Sequence, residues 1–160
     1  MEIDLKKVVI RRVGESEVAS MTAHRIDYLI EMQGERDEHF LQLLKKQLEE
    51  YFRKNIASGS FFAVMATFED QILGYGAMVL RNIPGDLSKA SYLEGDILNM
   101  YTLPHARRQG IGTLILKQLL KDAWLMGLSK VALHTSKDGE KLYRNFGFNE
   151  PLFPYLELKL

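Results

Sequence analysis

The chain contains no cysteine. That absence excludes disulfide frameworks, thiolate zinc sites, Cys-x-x-Cys redox chemistry and a cysteine nucleophile together. A charge imbalance is also missing, because 21 Lys and Arg offset 21 Asp and Glu to give a formal net charge of zero. No bulk positive field therefore draws in nucleic acid or anionic lipid, and any bound phosphate must be gripped locally. Apolar runs fall short of the ~20 residues that span a bilayer. The opening Met-Glu-Ile-Asp-Leu-Lys-Lys has no basic segment followed by an apolar one, so no leader is read there. A cytoplasmic protein without membrane or nucleic-acid partners is the expectation. The four histidines, His24, His39, His105 and His134, show no metal-ligand spacing, and no metal is expected.

What is present fits one domain spanning residues 1–160. The 160 residues are 46% hydrophobic and 26% charged, enough to bury a core without staples, and no repeat or Pro/Ser-rich linker divides them. Val8–Val13 reads as a first strand and Glu15–Ile30 as a helix, followed by a polar loop over 32–39. Phe40, Leu41, Leu44, Leu48, Tyr51 and Phe52 recur at helical spacing, which predicts an amphipathic helix ending near Ser58-Gly59. Strands are predicted over Phe61–Phe68 and Ile72–Leu80, forming a hairpin, with a loop over Asn82–Lys89 and a strand over Gly95–Leu103 that Pro104 stops. A helix then carries Ile111, Ile115, Leu119, Ala123 and Met126 on one face and closes at Gly127. Trp124, spaced with Leu116 and Leu120, is expected in the core. A strand over Val131–Thr135, a short helix over Asp138–Phe146 and a last strand over Tyr155–Leu160 complete a mixed α/β sheet with helices on its faces.

The informative segment is Arg107-Arg108-Gln109-Gly110-Ile111-Gly112-Thr113, where a strand turns into a helix. Unpaired amides at the positive end of a helix dipole suit phosphate oxygens, and glycine lets a ligand approach the backbone. A dinucleotide fingerprint fails, because Ile115 stands where a third glycine or alanine is needed. A Walker A loop fails as well, because Gly110 is followed at the required distance by Ile115-Leu116-Lys117.

The segment does match Arg/Gln-x-x-Gly-x-Gly/Ala, and it resembles the acetyl-CoA pyrophosphate loop of the GNAT superfamily of N-acetyltransferases. The likeness extends over residues 101–113, and again over Leu133-His-Thr-Ser and Leu142-Tyr-Arg-Asn-Phe-Gly-Phe, in the family's order. It implies the GNAT acyltransferase fold, a mixed and mostly antiparallel sheet with splayed central strands and helices on both faces. It also implies acetyl-CoA (coenzyme A) between those strands. The pantetheine arm is expected against main chain of Met100, Tyr101, Thr102 and Leu103, with an amide near Met100 or Tyr101 polarising the thioester. The pyrophosphate is expected on the amides of Arg108, Gln109, Gly110, Ile111, Gly112 and Thr113, with the Arg107 and Arg108 side chains available to it.

Tyr143 matches the tyrosine that protonates the departing thiolate in this family. A phenol of pKa ~10 is protonated at neutral pH and suits that task, and the competing reading is a core aromatic beside Phe146 and Phe148. Ser136, seven residues earlier, stands where the family often places a cofactor-contacting Asn. Asp96, eleven residues before Arg107, matches the base of the histone-modifying branch, and strand alternation puts Glu94, Asp96, Leu98 and Met100 on one face. Either acid is read as a base acting through water or as a solvated residue. His105, where relatives frequently carry Glu, reads as a surface side chain. Glu31, Glu35, Asp37 and Glu38 lie in the segment that borders the family's acceptor pocket, where acids favour a cationic amine, and the competing reading is a solvated charged loop. The implied activity is direct acetyl transfer to a small-molecule or peptide amine in a ternary complex. The rival is a catalytically silent acyl-CoA-binding sensor or structural protein. Alternating Leu156, Leu158 and Leu160 would let a terminal strand join a homodimer.

Overall fold

The computed structural model describes residues 2–160. Its five strands lie side by side in chain order: β1 (Val9–Arg12), β2 (Phe61–Phe68), β3 (Gln71–Pro84), β4 (Ser91–Thr102) and β5 (Lys130–Ala132). The first four pair antiparallel and β5 joins β4 in parallel. A parallel neighbour needs a crossover, and α3 (Ile111–Leu125) supplies it. The other helices are α1 (Val18–Gln33), α2 (Glu38–Ser58) and α4 (Lys137–Asn145).

The run Phe61-Phe-Ala-Val-Met-Ala explains why the sheet is covered on both sides. With a period of two, Phe61, Ala63 and Met65 join Val18, Met21 and Phe52 under α1 and α2. Phe62, Val64 and Ala66 join Ile111, Ile115, Leu119, Ala123 and Tyr143 under α3 and α4. Asp37 caps α2 by accepting from the Phe40 amide at 3.0 Å, so the predicted loop shrinks to residues 34–37.

Three expectations change. The loop over Asn82–Lys89 is largely strand, because β3 and β4 stay paired out to Pro84 and Ser91, where a terminal proline costs no ladder bond. Trp124 is 79% exposed, since α3 turns Leu116, Leu119 and Ala123 to the sheet and Trp124 away from it. The last strand does not form. Residues 149–160 are exposed throughout, with Leu158 at 84%, and the sheet ends at the three-residue β5. Among the described residues, no helix is long and apolar enough to cross a membrane.

Candidate active site

The site starts from a fault in strand pairing. β3 and β4 are in register as far as Ala77↔Leu98 and resume at Tyr75↔Tyr101, so Asn99 and Met100 together oppose the single Gly76. Asn99 takes a φ of 60° to make this bulge, a left-handed conformation that Asn tolerates better than most residues. One extra residue reverses the alternation. Leu98 packs under α1 and α2, Met100 packs on the α3 side, and Tyr101 returns to α1 with its ring 5.3 Å from that of Tyr28. The expectation that Met100 shares a face with Glu94, Asp96 and Leu98 is therefore corrected. Gly76 is required opposite the bulge, since a Cβ there meets Ile115 Cγ2 at 2.5 Å and Met100 Sδ at 2.9 Å.

β4 and β5 pair only through Glu94↔Lys130, Gly95↔Val131 and Asp96↔Ala132. Beyond that point β5 ends, short of the predicted Thr135, and the β4 edge from Ile97 to Thr102 has no strand partner on that side. The two chains part into a wedge, with the bulge at its mouth.

The glycine loop closes the wedge. After the turn Pro104–Ala106, Arg108 has a φ of 58° and Gly110 a φ of 84°. Left-handed residues in a turn are a feature of anion-binding nests, and a left-handed arginine is strain of the kind that collects at ligand sites. Gly110 is the N-cap of α3, and no side chain caps that helix. The amides of Ile111, Gly112 and Thr113 thus have no intrahelical partner. A Cβ on Gly112 meets nothing closer than 3.7 Å, so the fold itself leaves room there.

The loop's side chains are divided. Arg107 donates from Nε to the Thr102 carbonyl at 3.0 Å and from Nη1 and Nη2 to Glu31 at 2.8 and 2.6 Å. Its guanidinium fastens α1 to the end of β4, which revises the expectation that it is available to phosphate. Hydrogen bonds from Arg107 hold the Glu31 carboxyl below its ordinary pKa. The Gln109 side chain accepts from the Ile3 amide at 3.0 Å and donates to the His105 carbonyl at 3.3 Å, leaving its main chain to face the loop. Arg108 forms no ion pair among the described residues.

Tyr143 lies on α4, 9% exposed, with its ring edge-on to Phe148 at 5.8 Å. It packs as a core aromatic, and its hydroxyl is not one of the orphaned atoms sealed from solvent. Burial pushes the phenol up from its usual value, so it holds its proton at neutral pH. Ser136 is the N-cap of α4 and accepts from the Gly139 amide at 3.3 Å, which leaves its own proton to donate. Asp96 pairs with Arg81 at 2.8 Å, and Glu94 with Lys130 at 3.2 Å. These two acids sit on the α1 side of β4, two and more residues short of the bulge.

Sequence reasoning missed the roles of Asn99, Arg25, Tyr28 and the Glu31–Arg107 clasp. Met21, Arg25 and Tyr28 follow helical spacing and line a narrow crevice, open to solvent, with Tyr75, Asn99 and Tyr101 as its other walls. Arg25 Nε and both amide atoms of Asn99 are sealed from solvent without a hydrogen-bond partner. Burial lowers the Arg25 pKa. Of the acids expected to border an acceptor, Glu31 is spent on Arg107, Asp37 caps α2, and Glu35 and Glu38 are exposed. Among the described residues, no group of three or more His, Asp or Glu could hold a metal ion.

A parting of two strands, a bulge on one of them and an uncapped helix start lie at one end of the sheet. Residues 24–148 match the family model for the acetyltransferase (GNAT) family. The fold is similar, at 26% identity and a TM-score of 0.81 over 95% of this chain and 96% of the other, to a predicted acetyltransferase from Clostridium acetobutylicum solved with acetyl-CoA. It is also similar to a GCN5-related N-acetyltransferase from Ralstonia eutropha (20% identity, TM-score 0.75, covering 94% and 98%). A third likeness is to the glucosamine-6-phosphate N-acetyltransferase of Arabidopsis thaliana (15%, 0.67, 94% and 97%). The last two show the fold alone. No curated protein sequence matches the chain.

Proposed function

The chain belongs to the GNAT acetyltransferase family, whose members use acetyl-CoA, and from that premise we propose that it transfers acetyl to a primary amine by direct attack in a ternary complex. The observation that carries the reading is the coincidence of the β4 bulge, the β4–β5 wedge and the uncapped start of α3. Acetyl-CoA supplies the activated acetyl group.

The amides of Arg108 to Thr113 hold the diphosphate, and the free Arg108 side chain adds a charge-assisted donor. That local cation is how a chain of zero net charge holds a polyanion. Main chain from Met100 to Leu103 pairs with the pantetheine arm, and Ser136 donates from the facing side. The Met100 or Tyr101 amide, at the bulge, donates to the thioester oxygen as it gains charge. Tyr143 gives its phenolic proton to the departing sulfur, a task for which a pKa raised by burial is suited. The amine proton leaves through water toward Asp96, whose side chain remains 40% exposed beside Arg81. Glu94, only 16% exposed and shared between Lys130 and Arg81, supports that charge cluster and is the second candidate for the same task.

The assay is incubation with acetyl-CoA and a panel of amines while free thiol is followed. Amine-dependent thiol release supports the enzyme. Tight acetyl-CoA binding with no release for any amine supports the sensor instead.

The terminal arm supports a homodimer. Leu152, Phe153, Leu156, Leu158 and Leu160 are all exposed, a run too apolar to stand in water alone. Tyr155 passes 6.1 Å from His134, beside the open edge of β5. A second copy of the chain offers the same edge to the arm, and reciprocal exchange closes both with twofold symmetry.

A further inference from the structure

The crevice under α1 is lined by two half-buried residues with polar atoms that the folded chain has sealed from water and left without partners. Arg25 Nε and both side-chain atoms of Asn99 are sealed from water and unpaired, and they line the same space. Each buried orphan costs roughly 1–3 kcal/mol, so two beside one another mark a place where an absent molecule completes the bonding. The chain supplies no acid to do so: every ion pair among the described residues involves a cation other than Arg25. Glu31, further along α1, is held bidentate by Arg107.

We propose that the acceptor amine carries an oxyanion, a carboxylate or a phosphate monoester, and that Arg25 and Asn99 form its binding subsite. A guanidinium presents a planar fork of donors that fits either oxyanion. The Asn99 amide donates to a further oxygen of the same group and offers its carbonyl to an N–H or hydroxyl beside it. Asn99 and Tyr101 flank Met100, so an anion seated on Arg25 leaves the amine of a compact acceptor facing the bulge. The phenol rings of Tyr28, Tyr75 and Tyr101 wall the crevice with apolar surface, which strengthens the ion pair by excluding water. A polycation has the opposite fit, because its second charge meets Arg25. This reverses the expectation drawn from the acidic loop. The inference rests on the acetyltransferase reading above, which supplies the amine's position.

The test uses the full chain and four classes of probe: α-amino acids, glucosamine 6-phosphate, spermidine and kanamycin. Binding of each to the coenzyme A complex is measured by calorimetry, and turnover by thiol release. Amino acids and the sugar phosphate separate the carboxylate from the phosphate source. The expected result is that one anionic class binds and reacts best. Arg25→Met is expected to raise its Kd and KM roughly 30-fold or more while kcat and the affinity for acetyl-CoA stay near their original values. Arg25→Lys recovers part of the loss, which a purely structural role does not predict. Preference for spermidine or kanamycin overturns the proposal, as does an unchanged ratio of anionic to cationic acceptors in Arg25→Met. Should that variant fail to fold, the original chain's preference and Arg25→Lys decide. Arg25-dependent binding without thiol release removes the catalytic reading and leaves the subsite standing. Thiol release confined to cationic amines does the reverse.

Discussion

Gly112→Asp separates folding from ligand binding because the structure gives the two effects opposite signs. Gly112 lies in the first turn of α3 at ordinary, negative φ, and a Cβ there meets Leu142 and Thr102 at 3.7 Å, so the side chain fits. Replacing glycine at such a position stabilises by about 0.4–1 kcal/mol. A carboxylate at the positive end of the helix adds about 0.3–1 kcal/mol. The sum of about 1 kcal/mol corresponds to a rise in Tm of roughly 2–4 °C for a chain of this size. The same carboxylate occupies amides that a diphosphate needs and repels it. Two unit charges 4 Å apart repel by about 4 kcal/mol at an effective dielectric of 20, which salt reduces, so a loss of at least ~100-fold in coenzyme A affinity is expected. Differential scanning fluorimetry reads the first effect and calorimetry with coenzyme A the second. Gly112→Asn, similar in shape and uncharged, is expected to lose far less affinity. Undiminished affinity in Gly112→Asp refutes the amide cradle, and equal losses in the Asp and Asn variants refute the electrostatic account of it.

Three further outcomes are expected. Tyr143→Phe lowers kcat by about 10²–10⁴ in stopped-flow thiol assays and leaves acetyl-CoA affinity and Tm nearly intact, because the hydroxyl takes no bond within the chain; unchanged turnover removes its proton-donor role. Glu31→Gln lowers Tm slightly at pH 7, and the difference from the original chain shrinks as pH falls below the ordinary carboxylate pKa and vanishes below the folded one: hydrogen bonds from Arg107 hold the folded pKa under its ordinary value, so the clasp contributes above that ordinary value and is lost as pH falls through the folded one. A Tm gap that persists in acid contradicts this sign. Deleting residues 152–160 is expected to convert a dimer into a monomer by light scattering, and a monomeric full chain refutes the exchanged arm.

The architecture was readable because its cues are local. The period of Phe61 to Ala66, the glycine turn at 110–112 and the spacing on α3 each state their structure within a few residues. The bulge was not readable in that way, because it arises from a pairing offset between Gly76 and Asn99-Met100 that only tertiary register reveals. It also moved Met100 to the other face, where strict alternation had placed it with Asp96. The motif marked the strand-to-helix turn at 107–113 but could not say that Arg107 is bound to Glu31, seventy-six residues away. Trp124 follows core spacing, yet its position on α3 falls just outside the buried stripe. The arm's alternation speaks for a strand, but no strand of the sheet pairs with residues 149–160. Arg25 and Asn99 carry no motif, and their importance lies in what they fail to bond.

The account is tested most directly by a crystal structure with acetyl-CoA bound. It predicts diphosphate oxygens within hydrogen-bond distance of the amides of residues 108–113. The thioester oxygen should lie on the Met100 or Tyr101 amide, with the Tyr143 hydroxyl facing the sulfur. Density for the ligand elsewhere, or a thioester turned away from the β4 bulge, contradicts it.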